Sequence, residues 1–384
     1  MNTAVLALTQ EGARQGAFIA RGLEVDLYVK ASFRHHLTAG FPESRLHSFD
    51  DFQTTLHDAF LQYEGLVCVM ACGIVVRSLA PYLEHKTKDP AVVVVDERGQ
   101  FAISLLSGHV GGANDLARAA ARLTGGTPVI TTATDVQGLP AFDELAVKNH
   151  CAIENMDQVK HISSALLAGE TVHLYADVPF QGTLPPHLKP WKPGEKPAAV
   201  VALTNGLTSA QTNQEPLAAL GEKVLILRPR NLVLGIGCRK GKSAEAIQAV
   251  VTAFLNDQGK SPLSLRCLAS ISLKAEEPGL LTFAAERDLP FLTFTAEEIA
   301  TVEAQCAASD FVRHTTGVGS VAEACAMLAG KPGQLIAGKT VFGGITLALW
   351  EEDTVFQMQP GEGRTPVTKR RETGRKDVPC QPSK

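Results

Sequence analysis

The chain has 384 residues, 45% hydrophobic and 20% charged, the balance of a folded protein with room for two or three domains. Lys plus Arg number 36 against 40 for Asp plus Glu, and a formal net charge of −4 argues against nucleic acid or a membrane surface as the main partner. No run reaches the roughly eighteen apolar residues of a membrane helix; the longest, residues 66–76, is interrupted by Gly73 and followed by Arg77.

In chain order, residues 1–8 lack a basic leader and read as a first buried strand, not a signal peptide. Apolar runs at 4–8, 66–71, 91–95, 102–106 and 128–132 read as strands, and 12–21, 75–83 and 114–123 as helices between them. This alternation predicts an α/β fold, with a doubly wound, mostly parallel sheet in an N-terminal domain over 1–143. A middle α/β domain is expected over 144–228, with a helix at 157–168 and strands at 171–175, 198–203 and 223–227. Its prolines Pro179, Pro185, Pro186, Pro190, Pro193 and Pro197 suggest a surface loop. A separate C-terminal α/β domain over 229–352 opens with a strand at 232–236 and a helix at 243–255. Capping boxes are expected at Thr295 with Glu298 and at Ser320 with Glu323. Strands at 335–339 and 345–350 close the domain, and 353–384, with Lys369, Arg370 and Arg371, reads as a disordered basic tail.

Eight scattered cysteines without CxxC spacing read as reduced thiols, so a cytoplasmic location is expected. The histidines and cysteines show no metal-ligand spacing and there is no GxSxG elbow, so no protein-bound metal and no serine-hydrolase chemistry are expected.

The strongest chemical signal is the loop Ser107-Gly108-His109-Val110-Gly111-Gly112-Ala113-Asn114, between an expected strand and a helix that Asn114 would cap. Closely spaced glycines let backbone N–H groups approach a ligand, a helix N-terminus favours anions, and His109 is a base-capable group at its centre. The strand at 66–71, leading to Gly73 and Arg77, and the strand at 128–132, leading to Thr132, Thr134 and Asp135, are expected to end at the same sheet edge. Asp135 reads equally well as a ligand or as a turn cap.

In the third segment, Gly237, Cys238, Arg239 and Lys240 lie in a basic, glycine-rich turn before a helix, suited to carboxylates or phosphates. The turn is not a P-loop, because five residues separate Gly235 from Gly241 where four are needed. Gly317-Val318-Gly319-Ser320-Val321-Ala322 matches GxGxxA, for which tight packing is the first reading, with Glu323 in its capping box. Lys274 reads as a surface lysine or a ligand contact.

Together these residues resemble the cobalt-precorrin-5A hydrolases of anaerobic cobalamin biosynthesis, the CbiG family. The resemblance spans about residues 3 to 350 and is most specific at 73–81, 88–92, 104–114 and 128–135, then at 235–241, 270–274 and 316–324. It implies a tetrapyrrole substrate whose δ-lactone is opened by water, with release of a two-carbon fragment as acetaldehyde. The cobalt would come with the substrate, so no protein cofactor is expected. On this basis His109 is the expected general base, with Asp135 and Arg77 as partners. The substrate would be bound by Gly73, Ser107, Gly108, Gly111, Gly112, Asn114, Thr132 and Thr134, and by Gly237, Cys238, Arg239, Lys240, Lys274, Gly317, Gly319 and Glu323, in a pocket between the first and third segments. A second copy of the chain and the pathway's methyltransferases are the expected protein partners. Two other readings stay open: a non-catalytic corrinoid carrier, and a nucleotide-dependent enzyme using 235–243.

Overall fold

The computed structural model describes residues 1–37, 40–85, 88–192, 194–195, 197–207 and 223–358. Its N-terminal sheet contains β1 (Thr3–Ala7), β2 (Asp26–Lys30), β3 (Leu46–Phe49), β4 (Gly65–Val69), β5 (Ala91–Val95), β6 (Phe101–Leu106) and β7 (Thr127–Val129), in the order β3-β2-β1-β4-β5-β6-β7. Continuous apolar strands such as Ala91–Val95 need cover on both faces. The alanine-rich faces of helices Gln10–Leu23 and Ala113–Thr124 supply one cover, and Leu56, Phe60, Val75 and Leu79 supply the other.

The first five strands in that order run parallel, but β6 is antiparallel to β5 and parallel to β7. The cause is the short connection Asp96–Gln100, which cannot carry a crossover and must form a hairpin. The Asp96 carboxylate accepts from the N–H groups of Arg98 (2.9 Å) and Phe101 (2.6 Å), which closes the turn. The carboxyl ends of β6 and β7 therefore lie at the opposite sheet edge from that of β4. This overturns the expectation that all three end together.

The middle unit holds β8 (Cys151–Ile153), β9 (Val172–Ala176), β10 (Phe180–Gln181), β11 (Leu188–Pro190), β12 (Ala199–Leu203) and β13 (Lys223–Pro229). Its main sheet runs β11-β9-β12-β13-β8. Pro190 sits in the edge strand β11, where a missing N–H is tolerated; Pro193 lies outside the described residues. The C-terminal unit holds β14 (Leu232–Cys238), β15 (Leu265–Ile271), β16 (Phe291–Phe294), β17 (Gly333–Phe342) and β18 (Ile345–Glu352), in the order β16-β15-β14-β18-β17.

An unstructured tail from residue 353 is not what the structure shows for its first six residues. There β19 (Phe356–Gln357) pairs with β10 of the middle unit, and Phe356 and Met358 are buried in that unit's core. The basic residues 369–371 lie outside the described residues. A polar seam also joins the middle and C-terminal units. Asn205 Nδ2 donates to Asn231 Oδ1 (3.1 Å) and Glu351 Oε1 (2.6 Å), and Lys260 Nζ donates to Asn205 Oδ1 and Glu351 Oε2, both at 2.8 Å. No helix among the described residues is long and apolar enough to cross a membrane.

Candidate functional site

The loop after β6 folds back on itself. Its N–H groups at Gly112, Ala113 and Asn114 donate to the carbonyls of His109, Ser107 and Gly108. Three donors that could have met an anion are thus used internally. Gly112, at φ +86°, is the N-cap of helix Ala113–Thr124 in place of the expected Asn114. Ser107 is also left-handed, at φ +54°, and its hydroxyl donates to the Asp89 carbonyl at 2.8 Å. A non-glycine residue held there costs on the order of 1 kcal/mol, a strain often found at functional loops.

Asn114 is buried and acts as a hub. Its Oδ1 accepts from Ser104 Oγ (2.7 Å), and its Nδ2 donates to Asp135 Oδ2 (3.1 Å) and, at 3.5 Å, to Thr132 Oγ1. Asp135 lies in the short helix Ala133–Gln137, and its Oδ1 accepts from Arg118 Nη2 at 2.7 Å. The Asp135 side chain is thus shared among His109, Asn114 and Arg118.

His109 lies between two carboxylates. Its Nε2 is 3.1 Å from Asp135 Oδ2 and its Nδ1 is 3.5 Å from Asp143 Oδ1, while Thr134 Oγ1 is 3.3 Å from Nε2. Burial works against a charged imidazole, but the bonds to Asp135 and Asp143 outweigh it and lift the His109 pKa to about 9. Asp135 is likewise buried enough to favour protonation, yet His109 and Arg118 hold its carboxyl below the usual range. Both ring nitrogens face carboxylates, an arrangement that favours the protonated ring. In the protonated form the ring donates hydrogen bonds; the general-base role expected of His109 needs the neutral form.

Asp143 was not among the sequence candidates. It is 5% exposed, at the first turn of helix Phe142–Lys148. Its sequence signal was a carboxylate at a domain boundary, with nothing to tie it to a loop more than thirty residues earlier. His109, Asp135 and Glu144 also bring one ligand atom each within 4.8 Å of one another. Arg118 on Asp135 and Lys148 on Glu144 (2.6 Å) already neutralise those carboxylates, so we read an ion-pair network.

The remaining candidates divide. Ser107, Gly108, His109, Thr132 and Thr134 line one cleft of about 440 Å³ with Asp143, and its other wall is the helix Asp157–Leu167 of the middle unit. Arg77 and Gly73 are not part of it: they follow β4, at the far edge of the sheet, where the Arg77 guanidinium folds back over Gly73. None of the C-terminal candidates lines this cleft either, so the expected pocket between first and third segments is not where His109 lies. Gly237 and Cys238 end β14, and Arg239 and Lys240 follow it with their side chains exposed. Lys274 Nζ donates to Glu277 Oε2 at 2.7 Å, and Glu277 Oε1 accepts from Gly241 N at 2.7 Å.

The Ser320–Glu323 capping box does not form, whereas the one at Thr295 and Glu298 does. Glu323 is buried, and its two oxygens accept instead from the N–H groups of Ala307 and Lys339, both at 2.6 Å. Gly319 packs against Glu303, whose Oε1 accepts from Gly319 N (2.6 Å), and left-handed Gly317 ends a helix; GxGxxA marks close packing here.

A larger cleft, about 820 Å³, opens between the middle and C-terminal units. Its Arg266 is paired with Glu352 and its Lys148 with Glu144 and Asp115. The smaller cleft is the better candidate, because only there do two carboxylates address one imidazole.

Comparisons with known proteins agree along the chain. Residues 54–135 match the domain described as Cobalamin synthesis G N-terminal, 140–229 the Cobalamin biosynthesis central region, and 232–350 the Cobalamin synthesis G C-terminus. A protein of Salmonella typhimurium named cobalt-precorrin-5A hydrolase is 37% identical over 300 residues, 78% of this chain and 85% of its own. One of the same name from Priestia megaterium is 31% identical over 363 residues, 90% of this chain and 94% of its own. Protein CobE of Sinorhizobium sp. is 37% identical over 123 residues, 31% of this chain and 78% of its own.

Proposed function

The chain belongs to the family of cobalt-precorrin-5A hydrolases, and from that premise we propose that it opens the δ-lactone of cobalt-precorrin-5A and releases the two-carbon fragment as acetaldehyde, with the chemistry in the His109 cleft. The observation that carries the assignment is the imidazole of His109 held between Asp135 and Asp143 on the wall of a cleft.

Water adds to the lactone carbonyl carbon, so the carbonyl oxygen gains charge as the new C–O bond forms. The substrate oxygen displaces Asp143 from the His109 Nδ1–H, the looser of the two contacts at 3.5 Å against 3.1 Å, and that N–H then stabilises it while Asp143 is freed. Asp143, a carboxylate on the same wall, takes the proton from the attacking water. Breakage of the ring C–O bond leaves an alkoxide on the two-carbon arm. When that oxygen reforms a carbonyl, the carbon–carbon bond to the macrocycle breaks, acetaldehyde departs, and the electron pair passes into the conjugated, cobalt-bound ring. The substrate's own metal and conjugation serve as electron sink, so the step requires no cofactor of the protein.

The test is acetaldehyde released by catalytic amounts of purified protein. Turnover beyond one equivalent is expected, with His109→Gln and Asp143→Asn each lowering kcat by about 10² or more. Tight binding of the substrate without turnover would replace this reading with that of a carrier. We place the reaction in the cytoplasm; the seven described cysteines are free thiols, in keeping with a reducing compartment.

A further inference from the structure

The His109 cleft has two walls that belong to different units. One is the loop 107–110 with Thr132, Ala133, Thr134 and Asp143; the other is the helix face Val159, Lys160, Ser163, Ser164 and Leu167. Among the lining residues only His109, Asp143 and Lys160 carry charge. His109 and Asp143 face each other, so their charges are mutually spent. Lys160 is exposed, and within the described residues it makes no ion pair and no hydrogen bond. This sets it apart from Lys148, which holds Asp115 and Glu144, and from Lys274, which holds Glu277. A polyanion entering this cleft meets Asp135 and Asp143 behind one wall and a single unspent cation on the other.

We infer that Lys160, with the hydroxyls of Ser163 and Ser164 one turn further along the same helix face, is the anchor for a peripheral carboxylate of the substrate. This rests on the proposed reaction for the substrate's identity, not for the site's charge. The ammonium and the two hydroxyls form one donor face for a carboxylate. Val110, Ala133 and Leu167 give the cleft apolar surface against which a flat ring can lie. Lys160 is thus a positioning residue: it fixes where the lactone sits relative to His109 and does not touch the reacting atoms.

Lys160→Ala should raise KM about tenfold and leave kcat within about twofold, the size of a lost charge-assisted hydrogen bond, and Lys160→Arg should restore most of the loss. A binding titration, followed by the macrocycle's visible absorption, separates this idea from the reaction itself. A cobalt corrinoid with free carboxylates should bind Lys160→Ala about tenfold more weakly than the unaltered protein, and the same corrinoid with its carboxylates esterified should bind both equally. Equal affinity of the free-carboxylate form for both proteins overturns the anchor, whatever the acetaldehyde assay gives. Absence of acetaldehyde from the unaltered protein overturns the reaction and leaves the titration to decide Lys160.

Discussion

Both His109 ring nitrogens face carboxylates, which favours the protonated ring, and the consequence can be read in a pH profile. The folded value, about 9, lies above the ordinary 6.5 of a free imidazole. Its contribution to stability is therefore complete below about pH 6.5 and disappears as the pH rises through about 9, with an upper size on the order of 3 kcal/mol. If His109 acts as donor, kcat/KM should be level near neutrality and fall on the alkaline side with a midpoint near 9. A rate that instead climbs through that range would restore the base role. Removing one carboxylate should shift the limb: Asp143→Asn is expected to lower the His109 midpoint by about one unit or more, as read by NMR titration of the ring.

At the scale of elements, the site exists because a loop, two helix starts and a reversed strand meet. Gly112 is a required part, since at φ +86° it begins the helix that carries Asn114 and Arg118. Gly112→Ala should cost about 1 kcal/mol in urea unfolding and lower activity out of proportion, because the loop must shift to relieve the strain. Gly235 in β14 is a packing requirement: a Cβ there would lie 1.9 Å from the Ala322 carbonyl oxygen. Gly235→Ala should lower stability by about 2 kcal/mol, read as a lower Tm, with the substrate KM in the acetaldehyde assay unchanged if the His109 cleft is the active site. The same substitution raising KM alone would point back to a substrate site at the end of β14.

For the whole molecule, the units are interlocked. Glu351 accepts from Asn205 and Lys260, and β19 returns to pair with β10. Glu351→Ala leaves Lys260 without its carboxylate and should cost about 1–3 kcal/mol in chemical denaturation. Truncation after Arg228 removes the seam partners Asn231, Lys260 and Glu351, and also Phe356 and Met358 from the middle unit's core. The shortened chain is expected to be markedly less stable than the intact one, with loss of soluble yield on expression. A shortened chain of undiminished Tm would show that the seam holds little.

Much follows from local sequence alone: the α/β alternation, the three successive sheets, the Thr295 capping box, and Asp135 within reach of the His109 loop. These rest on periodicity, caps and turn residues, which act over a few positions. The hairpin at Asp96–Gln100 was present in the sequence too, as a connection too short for a crossover, and it alone would have separated Arg77 from His109. Other features were decided only by tertiary structure. Asp143 meets His109, Glu323 ties Ala307 to Lys339, and the helix with Lys160 closes the cleft from the middle unit. The protonation state of His109 belongs with them. A pKa is set by burial and by charges within a few ångströms, and those neighbours come from distant parts of the chain.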